Sequence, residues 1–476
     1  MQIALDYQSK SFVISLGVIT SIFISYLTVL YGITVPIISM VVCVAIVGLI
    51  IVFKNPFAGL MFTLVYCFIF GFIARESGID FPFGYVEFIY SIIWIAIIFK
   101  IPKADWNLVC NDLCLLFFLW FVISVLELIN PASASPRGWL FEIRSSGLDS
   151  FLLVPVGFLI FRKTKHLNVF LTIIIVCSFL AWLNGFTQIH VGRTAGEEVF
   201  IAGNPTHMIW GKLRAFSFYR DAGQFGASQA QLAIICGVLA IGPFKLWKKI
   251  LLFSLSIIFF YGMLLSGTRG ALFALIPGIF IAVLLFKNIK ILFIGTLLAI
   301  VFLAFLKFTY IGNSNYQIQR LRSAVNPQDE SLNVRFTSQR ILGEYLKDHP
   351  FGGGLGVIGF AGHKYNSDKF LSTIEPDSYW VKVWAMYGIV GFIFWFCMMM
   401  YIFGKCCGIV WNIRNEKLRI KLIALTAGFF GIFISSYGNE VINTLPSSIV
   451  VYLSLVFIFL GPTFDKRLQD NQILIE

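Results

Sequence analysis

Three arginines of this sequence lie beside apolar stretches, at positions where a membrane-spanning helix would begin or end, and a fourth lies in the loop between two such stretches. Arg214 and Arg220 precede the apolar run that starts near Gln224. Arg269 lies in a very short turn between two apolar stretches, and Arg335 lies in a long polar segment. A guanidinium at such a position is costly unless it is paired. The planar guanidinium can donate hydrogen bonds to two oxygens at once and stays charged. It therefore suits a diphosphate at the depth of lipid head groups.

A simpler explanation exists for each arginine, which could reach a lipid phosphate or pair with Asp221 or Glu198.

The glycine-rich run after Pro350 also has two interpretations, one functional and one structural. Gly353 and Gly354 either expose N–H groups that bind an anion or form a flexible turn between a helix and the membrane. No Gly-Lys-Ser/Thr follows, so this run is not a nucleotide-binding loop. The four arginines and these two glycines form the predicted diphosphate-binding set.

Composition places these residues in a polytopic membrane protein. Hydrophobic residues make up 58% of the chain and charged residues 13%, and the mean hydropathy is +0.85. These values exclude a water-soluble globule. Apolar runs predict an all-α integral membrane protein with about 12 to 14 transmembrane helices and one large extracytoplasmic loop. The predicted spans are Phe12 to Ile33, Val35 to Phe53, Ala58 to Ile73, Phe83 to Ile101, Leu108 to Ile129, Leu148 to Phe161, Leu167 to Phe186, Gln224 to Ile241, Ile250 to Leu265, Ala271 to Phe286, Ile289 to Phe308, Trp380 to Phe403, Ile420 to Tyr437 and Leu445 to Leu460.

Lysines and arginines mark alternate connections between these spans. Because such residues are retained on the cytoplasmic side, we expect these connections and both termini in the cytoplasm. The first apolar segment lacks a cleavage signal and is expected to remain as a helix. The net charge of +12 is therefore a topology signal and an attraction to anionic lipid, and we expect no nucleic-acid partner. The cationic connections contain Lys54, Lys100, Lys103, Arg162, Lys163, Lys165, Lys245, Lys248, Lys249, Lys287, Lys290, Arg414, Lys417, Arg419, Lys421, Lys466 and Arg467.

The connections on the opposite side contain most of the polar residues. The longest runs from about 311 to 379 and is roughly 65 residues long, and shorter ones cover about 187–223 and 130–146. All nine cysteines lie elsewhere, so these loops are expected to be ordered without disulfides. Within the large loop, Asn333 to Lys347 predicts a short helix that ends before Pro350.

The order of the motifs resembles the O-antigen ligase and polymerase superfamily. The resemblance covers Leu213 to Gly391, whereas the first half of the chain matches only in being helical and membrane-embedded. It implies a metal-independent glycosyltransferase without a cofactor. Such an enzyme moves a glycan from a polyprenyl diphosphate, such as undecaprenyl diphosphate, to an acceptor hydroxyl outside the cytoplasm. The motifs are Arg214 before a span, Ser-Gly-Thr-Arg269-Gly-Ala, Arg335, then Tyr345-Leu-Lys-Asp-His349-Pro350-Phe351-Gly-Gly-Gly-Leu-Gly356, and Tyr379 with Tyr387-Gly-Ile-Val-Gly391.

The residues suit this chemistry. Breaking the anomeric bond leaves a lipid diphosphate whose growing charge arginines can stabilise without a metal. The chain has no Asp-x-Asp pair of the kind that holds a metal and a sugar nucleotide. His190 and His207 are too far from other ligand-type residues to predict a metal site.

The acceptor side departs from the family pattern. Where the family often has His-Asn-x-Tyr-Leu, with the His as a base, this chain has Pro-Asp377-Ser-Tyr-Trp. The acceptor hydroxyl still needs a proton acceptor. We assign this role to Asp377, with Glu375 and His363 as substitutes. Asp377 also suits the N-cap of the helix that begins near Tyr379, and the two roles are compatible.

These observations predict an enzyme of surface-polysaccharide assembly, with a polymerase slightly favoured because the ligase-like His is absent. A polymerase joins the glycan to another lipid-linked repeat, and a ligase joins it to a lipid A core. Expected partners are the lipid-linked glycan, its acceptor, membrane lipid and other polysaccharide-assembly membrane proteins. A lipid-linked oligosaccharide flippase and a non-catalytic assembly partner are the alternatives. We divide the chain into N-terminal transmembrane helices (1–186), a superfamily-like region (187–410), and C-terminal helices with a cytoplasmic tail (411–476).

Overall fold

The computed structural model describes residues 15, 18–30, 46–78, 85–100, 103–132, 135–312, 316–323 and 330–473. Nearly all regular structure in these ranges is helical, and the short hairpin of β1 (Met208–Ile209) and β2 (Lys212–Leu213) is the only sheet among them. The predicted all-α polytopic membrane fold is confirmed.

The described helices of the N-terminal half precede the β-hairpin. Helices α3 to α8 form the bundle, and α9 lies in the predicted outside segment 187–223. Their bounds are α1, Val18–Leu30; α2, 46–54; α3, Pro56–Ser77; α4, Tyr85–Lys100; α5, Asp112–Leu126; α6, Pro136–Ile143; α7, Asp149–Ile160; α8, Thr164–His190; and α9, Ala195–Gly203.

The C-terminal half contains the large loop and the helices on both sides of it. The loop runs from residue 309 to 378, and the helix predicted over Asn333 to Lys347 is present as α15. The bounds are α10, Ala222–Ile241; α11, Leu246–Leu265; α12, Leu272–Leu285; α13, Ile289–Phe308; α14, Tyr316–Ser323; α15, Glu330–Leu346; α16, Gly359–Tyr365; α17, Tyr379–Asn412; α18, Glu416–Ser435; α19, Ser447–Phe459; and α20, Gly461–Ile473.

Fewer helices reach full membrane length than the apolar runs suggested. Within the described residues, 8 helices are long and apolar enough to span, or 9 if the bent pair α19 and α20 is one span. Helices α4 and α12 have only 16 and 14 residues. The predicted spans Phe12 to Ile33 and Val35 to Phe53 lie partly outside the described residues.

The predicted outside segment 130–146 is mostly helical. Pro136–Ile160 forms one candidate span of 25 residues, with a π-helical turn between α6 and α7. Its polar residues suggested a loop, but they are paired inside the protein. Glu142 lies 2.9 Å from Lys382 of α17, and Arg144 lies 2.6 Å from Glu87 of α4. Ion pairs of this kind make charged residues tolerable within a membrane-spanning helix.

The connections rich in cations contact one another at one end of the bundle. Lys100 Nζ donates to the Lys54 carbonyl at 2.7 Å, Arg162 lies 3.2 Å from Asp105, and Arg467 donates to the Arg162 carbonyl. The large loop lies at the other end, which we call the loop end. This grouping agrees with the predicted alternation, and the side that each end faces stays a prediction.

Helices α10, α12 and α18 form a closely packed centre. A Cβ built at Gly431 of α18 would lie 2.5 Å from the Ala274 carbonyl oxygen of α12, and one at Gly278 would lie 3.0 Å from that of Ala427. Small residues therefore let the two backbones approach, as is common between membrane helices. At the loop end, α10 begins after Asp221, α12 begins after Arg269, and α18 ends at Ser435. These three helix ends carry the candidate site.

Candidate functional site

The large loop is anchored at a break in α17. Gly388 has φ 66° and ψ −169°, so the helix is interrupted there. The N–H groups of Gly353 and Gly354 donate to the carbonyls of Ala385 at 2.9 Å and Met386 at 3.0 Å. Backbone groups that a break frees within a membrane helix must find partners in the protein, and the loop supplies them. These two glycines therefore do not form the predicted anion nest, because their N–H groups are already used.

Close contacts fix the loop on this break. A Cβ built at Gly388 would lie 2.0 Å from the Pro350 carbonyl oxygen, and one at Gly352 would lie 2.4 Å from the Gly388 nitrogen. Both glycines have positive φ values. The loop is also tied to the start of α6, where the Ser135 N–H donates to Asn366 Oδ1 at 2.7 Å. The loop is thus held on two sides.

Arg214 lies beside the turn that carries Arg269. Its Nη2 donates to Thr268 Oγ1 at 2.9 Å, and its Nη1 donates to the Thr206 carbonyl at 3.1 Å. Arg269 begins the 3₁₀ turn that leads into α12. Nε of Arg214 is buried without a hydrogen-bond partner among the described residues. A buried donor without a partner is costly, so this N–H is a candidate contact for a bound anion.

Arg335 reaches the same turn from α15. Its Nη2 donates at 3.1 Å to the carbonyl of Gly438, in the segment between α18 and α19 that we call the 436–446 connection. A Cβ built at Gly438 would lie 3.4 Å from Cα of Gly270. Ser435 Oγ also donates to the Gly270 carbonyl at 2.9 Å. Arg335 is therefore linked through one residue to the neighbour of Arg269.

The electrostatics of Arg214 reflect this grouping. Burial lowers the pKa of its guanidinium, Asp221 and Tyr316 act in the opposite direction, and Arg269 and Arg335 lower the pKa again. The structure thus brings three of the four predicted arginines within electrostatic reach of each other. Like charges held together disfavour one another, and a multiply charged anion bound among them would relieve this repulsion.

Helix α14 adds two residues that the sequence analysis did not include. Arg320 is 7% exposed, and its Nε donates at 3.2 Å to the carbonyl of Gly267, just before the Arg269 turn. A Cβ built at Gly267 would lie 3.3 Å from the Tyr316 hydroxyl, which is buried without a hydrogen-bond partner in the described part of the chain. Helix α14 therefore covers one side of the arginine cluster.

Asn439 of the 436–446 connection is a further residue that the sequence analysis missed. A Cβ built at Gly270 would lie 2.1 Å from its Nδ2, and one at Gly223 would lie 2.6 Å from its Oδ1. Its Nδ2 has no hydrogen-bond partner within the described ranges and is buried, like Arg214 Nε and the Tyr316 hydroxyl. Buried polar groups are normally hydrogen-bonded, so three such donors around one turn point to a polar ligand that accepts hydrogen bonds.

Comparison with known proteins relates part of the chain to a known family. Residues 253–396 match the family described as O-Antigen ligase, and this range includes the Arg269 turn, Arg335 and the break in α17. In this region the chain is similar to O-antigen ligases and polymerases. A curated relative from Salmonella muenchen, described as an O-antigen polymerase, is 27% identical over 208 residues. These are 42% of this chain and 50% of the relative, so the chain spans about half the length of the curated relative that it matches.

The three residues assigned to the acceptor side form two separate contacts. Asp377 Oδ2 lies 3.4 Å from Arg335 Nε, and the Asp377 side chain is 60% exposed. His363 Nε2 lies 2.7 Å from Glu375 Oε1, and both side chains are at least half exposed. Asp377 is therefore in contact with the arginine cluster, whereas His363 and Glu375 form a separate pair.

Two of the simpler explanations do not hold. The N-cap of α17 is Ser378, whose side chain accepts from the Val381 N–H at 3.3 Å, so Asp377 does not cap this helix. Glu198 pairs with Arg193 at 2.6 Å, and Asp221 caps α10. Within the described residues, neither carboxylate forms an ion pair with the arginines at the Arg269 turn.

Arg220 lies away from the Arg269 turn. Its guanidinium lies 5.2 Å from the centre of the Phe360 ring, and its side chain is exposed. Phe360 is the second residue of α16, whose other end carries His363. Arg220 therefore borders the acceptor-side residues and is not part of the three-arginine group.

A largely buried ion triad lies at the start of α17. Lys382 Nζ lies 2.9 Å from Glu142 Oε1 and 3.0 Å from Glu440 Oε2, and the three side chains are 7%, 3% and 29% exposed, respectively. Sequence analysis placed Lys382 in an apolar span and Glu142 in a loop. The polar Gly-Asn-Glu sequence between two apolar helices was the signal that could have identified Glu440.

Proposed function

We propose that this protein transfers a glycan from a polyprenyl-diphosphate carrier to an acceptor hydroxyl, at the extracytoplasmic face of a bacterial inner membrane. The observation that carries the proposal is the convergence of Arg214, Arg269 and Arg335 on one helix turn, beside buried donors without partners. Such a site suits an anion that has several oxygens and lies at head-group depth.

The arginines have a specific role in this reaction. When the bond between the anomeric carbon and the diphosphate oxygen breaks, the electron pair leaves with the diphosphate. Guanidinium groups held around that oxygen stabilise the developing charge more than they stabilise the intact donor. Arg214 and Arg335 are already held by hydrogen bonds to Thr268 and Gly438, so little reorganisation is needed. Asp377 orients Arg335 through their ion pair and borders the acceptor hydroxyl.

A polymerase is favoured over a ligase by two observations. The Salmonella muenchen relative is described as an O-antigen polymerase. The segment that leads into α17 also lacks the His that ligase-like sequences have there, since Pro376 occupies this position. In a polymerase, the acceptor is a second lipid-linked repeat; in a ligase, it is a lipid A core.

The experiment that tests this proposal compares surface polysaccharide and lipid-linked glycans in cells that lack the gene. A core with a single repeat supports a polymerase, whereas long chains that remain on the carrier support a ligase. Unchanged profiles would contradict glycan transfer. Complementation with Arg335→Gln should fail, whereas Arg340→Gln should restore the profile. The Arg340 side chain on the same helix is 84% exposed, and its ion pair among the described residues is with Glu344, at 3.7 Å.

A flippase is the second candidate, since buried ion pairs such as Arg144 with Glu87, at 2.6 Å, are common in transporters. A flippase needs a bilayer in order to act, whereas a transferase does not. Purified protein in detergent should still join synthetic lipid-linked glycans if it is a transferase. A flippase would show no product under these conditions but would move the lipid across a reconstituted bilayer.

A further inference from the structure

We propose that Glu440 is the base that accepts the proton of the acceptor hydroxyl, and that Lys382 holds it in position. This inference rests on the proposed glycan transfer and names a residue outside the matched family range, which ends at 396. It departs from the sequence-based assignment of Asp377 to this role.

The two oxygens of Glu440 have different surroundings. Oε2 is 3.0 Å from Lys382 Nζ. Oε1 would lie 3.9 Å from a Cβ built at Gly359, and that Cβ would also lie 3.3 Å from Cγ of Pro376. Oε1 therefore faces the gap between the start of α16 and the residue before Asp377. One oxygen is anchored, the other lies on the acceptor side, and the side chain as a whole is 29% exposed.

The position of Glu440 along the chain links it to the donor site. In the 436–446 connection, the Gly438 carbonyl accepts from Arg335, and the Asn439 amide lies against Gly270. Glu440 is the next residue, and neighbouring Cα atoms are about 3.8 Å apart. The same short segment thus contacts the proposed diphosphate site and carries the proposed base.

The charges of the triad allow Glu440 to take up a proton. One lysine lies between two carboxylates, so with all three groups ionised the triad carries one net negative charge. A proton on Glu440 leaves Lys382 and the buried Glu142 as a neutral pair and removes the repulsion between the carboxylates. Asp377 differs, because its carboxylate pairs one-to-one with Arg335 and holds that guanidinium for the donor diphosphate.

The resulting step is balanced in atoms and charge. The acceptor oxygen forms a bond to the anomeric carbon as its proton moves to Oε1 of Glu440. The bond from that carbon to the diphosphate oxygen breaks, and its electron pair leaves with the diphosphate. Lys382 and Glu142 do not touch the substrates. They are positioning residues, since they fix the carboxylate through Oε2.

The test uses purified full-length protein, a synthetic polyprenyl-diphosphate glycan as donor, and a lipid-linked repeat as acceptor. Glu440→Gln keeps an oxygen for Lys382 and removes the base. We expect its transfer rate to fall by roughly 10² to 10⁴-fold, with donor affinity and melting temperature unchanged. Glu440→Asp should retain transfer above that of the Gln variant, because it keeps a carboxylate. Glu344→Gln is the matched control, since this glutamate is exposed and pairs only with Arg340 among the described ion pairs.

Three outcomes separate the two proposals. If Arg335→Gln loses donor binding while Glu440→Gln keeps wild-type transfer, the assignment of Glu440 is wrong and the proposed function stands. If Asp377→Asn loses transfer and Glu440→Gln does not, Asp377 is the base. If neither Arg335→Gln nor Glu440→Gln changes transfer, the proposed function itself is wrong. Equal loss in the Gln and Asp variants, with a lowered melting temperature in both, would assign Glu440 a structural role only and overturn the proposal.

Discussion

Gly388→Ala should detach the large loop from α17 while the rest of the protein stays folded. The residue has φ 66° and ψ −169°, a region that is essentially restricted to glycine. A Cβ there would lie 2.0 Å from the Pro350 carbonyl oxygen and 2.4 Å from the Gly352 nitrogen. Both contacts are with backbone atoms, which cannot rotate away as a side chain would.

The size of the effect follows from these contacts. A non-glycine residue in such a conformation costs about 1–3 kcal/mol. Moving Pro350 away from the helix relieves the clash but breaks the hydrogen bonds from Gly353 and Gly354 to α17, each worth about 0.5–1.5 kcal/mol. In the Ala variant, this strain shifts the equilibrium between attached and detached loop toward the detached form by roughly ten- to a hundredfold relative to the wild type. The factor follows because 1.4 kcal/mol corresponds to about tenfold.

Hydrogen–deuterium exchange of residues 350–356 measures this detachment. In Gly388→Ala, the amides of Gly353 and Gly354 should exchange roughly ten- to a hundredfold faster, and glycan transfer should be lost with them. Gly404→Ala is the control on the same helix, because a Cβ there would meet no atom within 4 Å. Wild-type exchange and transfer in Gly388→Ala would refute the claim that this junction holds the loop.

Three further predictions concern the site itself. Arg214→Lys keeps the charge but loses the fork that contacts Thr268 and Thr206, so affinity for a polyprenyl diphosphate should fall roughly 10- to 100-fold; unchanged binding would contradict the assigned role. Gly270→Ala should reduce transfer because its Cβ would lie 2.1 Å from Asn439 Nδ2, whereas Gly408→Ala, with no atom within 4 Å, should not. Transfer should be unaffected by millimolar EDTA because arginines stabilise the leaving group; loss that Mg²⁺ restores would show that a metal takes part.

The parts of the site that could be predicted are those with a signal in the sequence immediately around them. Arg214 and Arg269 were identifiable because each cation interrupts or borders an apolar run, and Arg335 because it lies in the large polar loop. The large loop and α15 follow from hydropathy and from helical spacing. These signals do not require knowledge of which helices are neighbours.

The remaining features depend on contacts between distant segments. Lys382 and Glu142 are separated by about half of the chain in sequence, and only their contact explains why α6 carries a glutamate. Gly353 and Gly354 suggested an anion nest because the break at Gly388, which provides acceptors for their N–H groups, is not visible in a hydropathy pattern. Arg320 was overlooked because its partner, the Gly267 carbonyl, lies on another helix turn.

The break in α17 has a consequence for biosynthesis of the protein. The carbonyls of Ala385 and Met386 obtain their hydrogen-bond donors from a segment that precedes the helix in the chain. Unpaired backbone groups are strongly disfavoured in the hydrocarbon layer. The turns of α17 on both sides of the break therefore reach their final state only after residues 350–356 have folded back onto the helix. Docking of this segment and completion of the helix are one event, so a molecule in which α17 is complete is also one whose large loop is anchored beside the site.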